Sequence, residues 1–170
     1  RGAAAAISET EMAAINAIRQ TPEFAKLTVE EIAALRSYTG NNSKAINNLL
    51  RGAGGSPQTQ AAANALMSGL QKLPGFTGKW VRAESAQMDE IIKRYPPGQV
   101  FTNQGLYSTS KAGAVGGVGG TIAITVKAIG KNGKDISKAA TFGANSANKI
   151  KEAEVLFPHG TSFFVESNTP

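Results

Sequence analysis

The sequence has 170 residues, 41% of them hydrophobic, with 18 Lys and Arg against 12 Asp and Glu, a net charge of +6. No run is long and apolar enough to span a bilayer, and the lack of cysteine excludes a disulfide framework, a thiol nucleophile and a cysteine-ligated metal. One histidine, His159, leaves no His pair for a metal, and the basic balance suits a negatively charged partner.

In chain order, the first 73 residues read as helices. Ser8 with Glu11 three residues on is a capping box. Ile7, Met12, Ile15 and Ile18 form one helical stripe beside it. Thr21-Pro22 starts a new segment. Thr28 and Glu31 repeat the capping device, Ile32, Leu35 and Tyr38 point inward, and Gly40 is expected to close that helix. Residues 41–52 predict a helix ending at Gly52, and Pro57 opens another that runs to about Leu70.

At Pro74 the character changes. Residues 76–85 predict a strand and 86–94 a short helix carrying Met88, Ile91 and Ile92. Two short extended pieces follow, around Asn103-Gln104-Gly105, and then a glycine-rich loop over 113–120. Residues 121–130 alternate with period two and predict a strand, with 131–135 as a turn. Residues 136–150 are a polar stretch. Residues 152–158 and 161–166 predict two strands joined through Pro158-His159-Gly160. Helices first and strands after argue an α+β fold, with N-terminal helices packed on a small mixed or antiparallel sheet. The length fits one domain, 1–170, helical over 1–73 and mainly β over 74–170. The start at Arg1 rather than Met is expected of a segment of a longer protein.

Several stretches hold residues that could carry chemistry. Glu152 and Glu154 stand two apart where an apolar run begins, so a strand would send both to one face. Two like charges that close destabilise each other unless something uses them. The ordinary reading is a charged edge that discourages edge-to-edge pairing. The glycine-rich stretch lacks a third glycine at Ile122 for a dinucleotide fingerprint, and no Gly-Lys-Ser/Thr follows it, so its ordinary reading is a connector. Ser108 and Ser110 would share one strand face with Thr109 on the other, as at any polar edge. Arg82 sits in an otherwise apolar strand, either snorkelling to solvent or placed to grip an anion with its planar fork. His159, in a Pro-x-Gly turn, reads as a turn residue.

Their order along the chain carries more than any one of them. Arg82, then Ser108-Thr109-Ser110, then Glu152-x-Glu154 followed by "VLFPHGTSFFV", resembles the arginine-serine-glutamate, or cholera-toxin-like, class of mono-ADP-ribosyltransferase toxins. "LTVEEIAALRSYTG" and "AINNLLR" resemble that family's N-terminal helices, and the likeness covers roughly residues 28–167. Val81 and Ala83 flank Arg82 where the family commonly has an aromatic and a glycine, with Trp80 one residue earlier. The sister class, resembling diphtheria toxin, needs a His ahead of its glutamate, and His159 comes after.

The resemblance implies NAD+ as donor and no metal. Breaking the nicotinamide–ribose bond leaves positive charge on the ribose, which a fixed carboxylate stabilises. Glu154 is the expected carboxylate, held by Ser108. Arg82 is expected to grip the diphosphate or nearby ribose oxygens, with Ser108, Thr109 and Ser110 on the cofactor strand. Gly116 and Gly117 are expected to wrap the nicotinamide–phosphate half. Glu152 would deprotonate the acceptor, and residues 141–151 would face it. Protein arginine is the favoured acceptor. Structured RNA is the alternative suggested by the charge, and water, making an NAD+ glycohydrolase, is a further one. Domains of this kind often end larger secreted bacterial toxins that act in the target-cell cytoplasm, so an acidic immunity protein covering the cleft is expected as a partner.

Overall fold

The computed structural model describes residues 7–84, 87–111, 122–139 and 154–168. Helices α1 (Glu9–Arg19), α2 (Val29–Ser37), α3 (Ser43–Leu50) and α4 (Pro57–Lys72) come first. Strand β1 (Gly75–Glu84) and helix α5 (Met88–Arg94) follow, then β2 (Val100–Thr102), β3 (Tyr107–Lys111), β4 (Ile122–Asp135), β5 (Glu154–Phe157) and β6 (Ser162–Phe164). The expected order of helices then strands is observed.

The helix starts follow their caps. Ser8 accepts the Glu11 amide at 3.1 Å, and Thr28 and Glu31 complete a reciprocal capping box. Gly40 does not end the second helix as expected. It lies inside a π-helical turn, Tyr38–Asn42, which carries the chain from α2 into α3. Gly and two Asn weaken α propensity there. Side-chain bonds from Thr39 to the Arg36 carbonyl (3.0 Å) and from Asn42 to Ser37 (2.8 Å) hold the wider turn. Gly52 does close α3, at φ +89°.

The strands pair antiparallel in the closed order β1-β3-β5-β4, with β4 returning to β1, while β2 and β6 form a separate two-stranded sheet. The turn expected at 131–135 is instead the end of β4. The strand bends by a bulge, in which residues 129–132 stand opposite Thr77. Beyond it Lys134 and Asp135 reach Leu156 and Val155 of β5. Glycine permits this at two points. A Cβ on Gly75 would lie 1.7 Å from the Lys131 carbonyl oxygen, and one on Gly133 would press on Val155 and Phe157. The last two predicted strands do not pair with each other, because β5 joins the barrel and β6 joins β2.

Three apolar clusters hold these layers. The largest joins α1–α4 to the barrel, with Ile32, Leu35, Ile46, Leu66 and Leu70 packed around Leu106, Ile136 and Leu156. Tyr107, Val126, Val155 and Phe157 fill the barrel, and Ile91, Tyr95 and Val165 seat α5. One buried carboxylate locks the helical layer. Glu31 of α2 accepts from Lys72 (2.7 Å) and Ser68 (2.6 Å) of α4 and from the Thr28 amide (2.8 Å). Burial alone would raise its pKa, but these donors outweigh burial and bring it down from 4.5 to about 2. A carboxyl depressed in the folded state stabilises above its unfolded pKa and loses that contribution as pH falls. The window for Glu31 therefore runs from 4.5 down to about 2. Glu31→Gln should cost about 2 kcal/mol at neutral pH and flatten the acid limb of stability, measured by urea unfolding across that window.

Candidate functional site

Arg82, Ser108 and Glu154 are far apart in the chain but lie on the adjacent strands β1, β3 and β5. Register fixes which face each takes. Ser110 is directly opposite Glu154, and Ser108 is opposite Leu156. Leu156 belongs to the helix-facing core, so Ser108, Ser110 and Glu154 share the side turned to the helices. Thr109 takes the other side and is buried, donating to the Val155 carbonyl at 2.8 Å. The central threonine of the Ser-Thr-Ser stretch thus ties β3 to β5, while the two serines face the helices.

The helical layer contributes polar groups to that side. The Tyr38 hydroxyl in the π turn is 3.4 Å from Ser108 Oγ and accepts from Asn47 at 3.2 Å. Asn47 also accepts the Leu106 amide at 2.8 Å, just before β3 begins. Burial pushes the Tyr38 phenol up. Its bonds to Ser108 and Asn47 oppose that, and the Glu154 charge adds to it. Tyr38 therefore stays a neutral hydroxyl within electrostatic reach of Glu154.

Arg82 is held on all sides that touch protein. Its NH1 donates to the Ser108 carbonyl at 2.9 Å, its Nε to Glu84 Oε1 at 2.9 Å, and its guanidinium carbon sits 4.3 Å from the centroid of the Tyr107 ring. The side chain keeps 27% of its surface open. Glu84 is 6% exposed and also accepts from Arg94 and the Tyr95 hydroxyl. Tyr95 and Tyr107 share a further bond at 3.1 Å between their hydroxyls. Burial would raise the Glu84 carboxyl, but the bonds from Tyr95 and Arg82 and the charges of Arg82 and Arg94 hold it below the ordinary carboxylate range. Burial likewise opposes the Arg82 charge, and Glu84 outweighs it.

Glu152, Gly116, Gly117 and residues 141–151 lie outside the described residues. Among the described residues no group of three or more His, Cys, Asp or Glu gathers as a metal site, and no helix is long and apolar enough to cross a membrane. His159 sits in the turn after β5, bonded to the Gln104 carbonyl. Sequence reasoning overlooked Glu84, Tyr95, Tyr38 and Asn47. The signal for Glu84 was present as Arg82-x-Glu84, two residues apart on one strand and hence on one face.

The family model of the ADP-ribosyltransferase exoenzyme matches residues 17–170. The NAD(+)–protein-arginine ADP-ribosyltransferase Tre1 of Pseudomonas putida (strain GB-1) is 35% identical over 144 residues, covering 83% of this chain and 27% of that protein. Its namesake from Serratia proteamaculans (strain 568) is 30% identical over 159 residues, covering 92% of this chain and 33% of that protein. The chain spans only 16% to 33% of the length of the curated relatives it matches. Among solved structures, the type III effector XopAI from Xanthomonas axonopodis pv. citri has a TM-score of 0.72 at 22% identity, covering 89% of this chain and 66% of that one. That likeness is one of fold.

Asn47 joins two elements through one side chain, so Asn47→Ala strands both the Leu106 amide and the Tyr38 hydroxyl. The expected loss is about 1–3 kcal/mol, read as a lower denaturant midpoint with an unchanged slope. An unchanged midpoint would mean that neither bond matters to the fold.

Proposed function

The chain belongs to the ADP-ribosyltransferase exoenzyme family, and on that premise we propose that it transfers a single ADP-ribose from NAD+ to a protein arginine. The observation that carries this reading is that Ser108, Ser110 and Glu154 share one face of β3 and β5 while Arg82, from the neighbouring β1, bonds the Ser108 carbonyl, all within one family-matched fold. Arg82 receives the diphosphate, Ser108, Ser110, Gly116 and Gly117 belong to the NAD+ site, and Thr109 holds their strand from the other face through its bond to the Val155 carbonyl. As the nicotinamide–ribose bond breaks, its electron pair leaves with nicotinamide. The Glu154 carboxylate stabilises the positive ribose. A guanidinium nitrogen of the acceptor then bonds to the ribose carbon, and its proton passes to Glu152. That base is needed because a free guanidinium stays protonated at neutral pH.

Protein arginine comes from the names of the two Tre1 relatives. Structured RNA is the second acceptor, favoured by the net charge of +6. The same charge supports an acidic immunity protein as partner, and the greater length of the relatives supports delivery within a larger secreted bacterial protein to a target-cell cytoplasm.

Glu154→Gln should lower NAD+ turnover about 100- to 1000-fold without shifting the melting temperature. A mutant as active as wild type would remove Glu154 from the chemistry. Glu152→Gln should abolish labelling of protein while some NAD+ hydrolysis persists. With labelled NAD+ and a cell lysate, the label should be lost to protease and untouched by ribonuclease. The reverse pattern would make RNA the acceptor, and NAD+ loss with no labelled macromolecule would make the protein a glycohydrolase.

A further inference from the structure

We propose that Glu84 is a positioning residue, which holds the Arg82 guanidinium in the orientation that receives the NAD+ diphosphate. The inference rests on the transferase reading and adds a residue to it.

Contacts around Arg82 close into a ring. Arg82 Nε bonds Glu84, Glu84 accepts from Tyr95, Tyr95 bonds Tyr107, and the Tyr107 ring lies against the Arg82 guanidinium. An arginine side chain carries large rotamer freedom, and any part of it frozen before binding need not be lost when the ligand arrives. The Ser108 carbonyl and the Tyr107 ring each fix part of that freedom, and the Glu84 carboxylate is the only anion in the ring. Glu84 cannot swing out with Arg82 towards solvent, because Arg94 and Tyr95 hold its two oxygens from α5 and the residue after it.

Burying a carboxylate beside an anion-binding arginine has two costs. The charge loses its water, and it offsets part of the attraction that Arg82 offers a diphosphate. Three donors meet the first cost. Arg94 meets the second, because two guanidinium groups against one carboxylate leave a net positive charge around Glu84. A carboxylate serving only to hold β1 against α5 would need Arg94 and Tyr95 but no bond to Arg82 Nε. That bond leaves the open 27% of the arginine side chain in one fixed orientation.

Three proteins test this: wild type, Glu84→Gln and Glu84→Asp. The readouts are steady-state NAD+ consumption and NAD+ titration followed by the fluorescence of Trp80, the only tryptophan of the sequence, two residues from Arg82. Glu84→Gln should raise KM and Kd for NAD+ about tenfold, the scale of one well-placed charged hydrogen bond, with kcat within about twofold. Glu84→Asp should recover part of that loss. A merely structural Glu84 would instead lower the folded fraction, and kcat with it, at unchanged KM. A folded Glu84→Gln with wild-type KM and Kd overturns the proposal. If Glu84→Gln does not fold, Tyr95→Phe opens the same ring and is judged by the same split, with about a threefold rise in KM expected. Failure of the transferase reading shows separately, as a wild type that neither consumes nor binds NAD+. The Arg82 Nε–H resonance of the ligand-free protein then decides for Glu84. Slow exchange with water in wild type and faster exchange in the variant supports its ordering role, and equal exchange overturns it.

Discussion

The pairing of β3 with β5 sets the rest of the molecule. Among the described residues four pairs make it, Tyr107 with Phe157 through Ser110 with Glu154. Each face of this short ribbon is committed to a different neighbour. Leu156 enters the helical core, while Val155, Phe157 and Tyr107 fill the barrel. A slip of one residue would exchange the two faces, burying Glu154 in the barrel and pulling Leu156 out of the helices. The apolar residues thus fix the register, and the register alone decides where Ser108, Ser110 and Glu154 face. Thr109 adds a bond to the Val155 carbonyl from inside the ribbon, reinforcing the same alignment.

The two charged parts of the site are managed on opposite sides of that ribbon. Glu154 faces the helices, where Tyr38 and Asn47 offer neutral hydroxyl and amide groups beside Ser108. Arg82 lies on the Tyr107 side and reaches β3 through the Ser108 carbonyl. On the Tyr107 side Glu84 accepts from Arg82, Arg94 and Tyr95.

The sequence made the helix starts legible because a capping box is a local device. Ser8 and Thr28 each cap their own helix within three residues, and Pro57 marks the start of α4, where the structure adds Ser56 as the cap. It made Arg82, Ser108 and Glu154 legible as candidates through their order and surroundings. Non-local consequences were hidden. Lys131-Asn132-Gly133-Lys134 has the composition of a turn, yet its backbone continues β4, because β1 and β5 need one long bent strand to close the barrel. Gly40 looks like a helix end, but Tyr38 must reach Ser108 and Asn47, and a π turn places it there without ending the helix. Arg82 read as an isolated charge and Glu84 went unnoticed, since Tyr95 and Tyr107 close the ring from other elements.

The π turn also shows why the helical layer is more than an apolar cover. Asn47 of α3 spends its oxygen on the Leu106 amide and its nitrogen on Tyr38, so one side chain ties the start of β3 to the turn that carries Tyr38. Leu106 is itself buried in the helical core beside Leu156. Packing and hydrogen bonding therefore act on the same few residues at the head of β3. A π turn exposes backbone geometry that an α-helix would close, and such turns persist where something nearby holds them. Here the stabilising groups are the hydroxyl, amide and strand backbone beside Ser108. The helices, the turn and the head of the strand that carries the serines are thus tied together by packing and by side-chain hydrogen bonds at once.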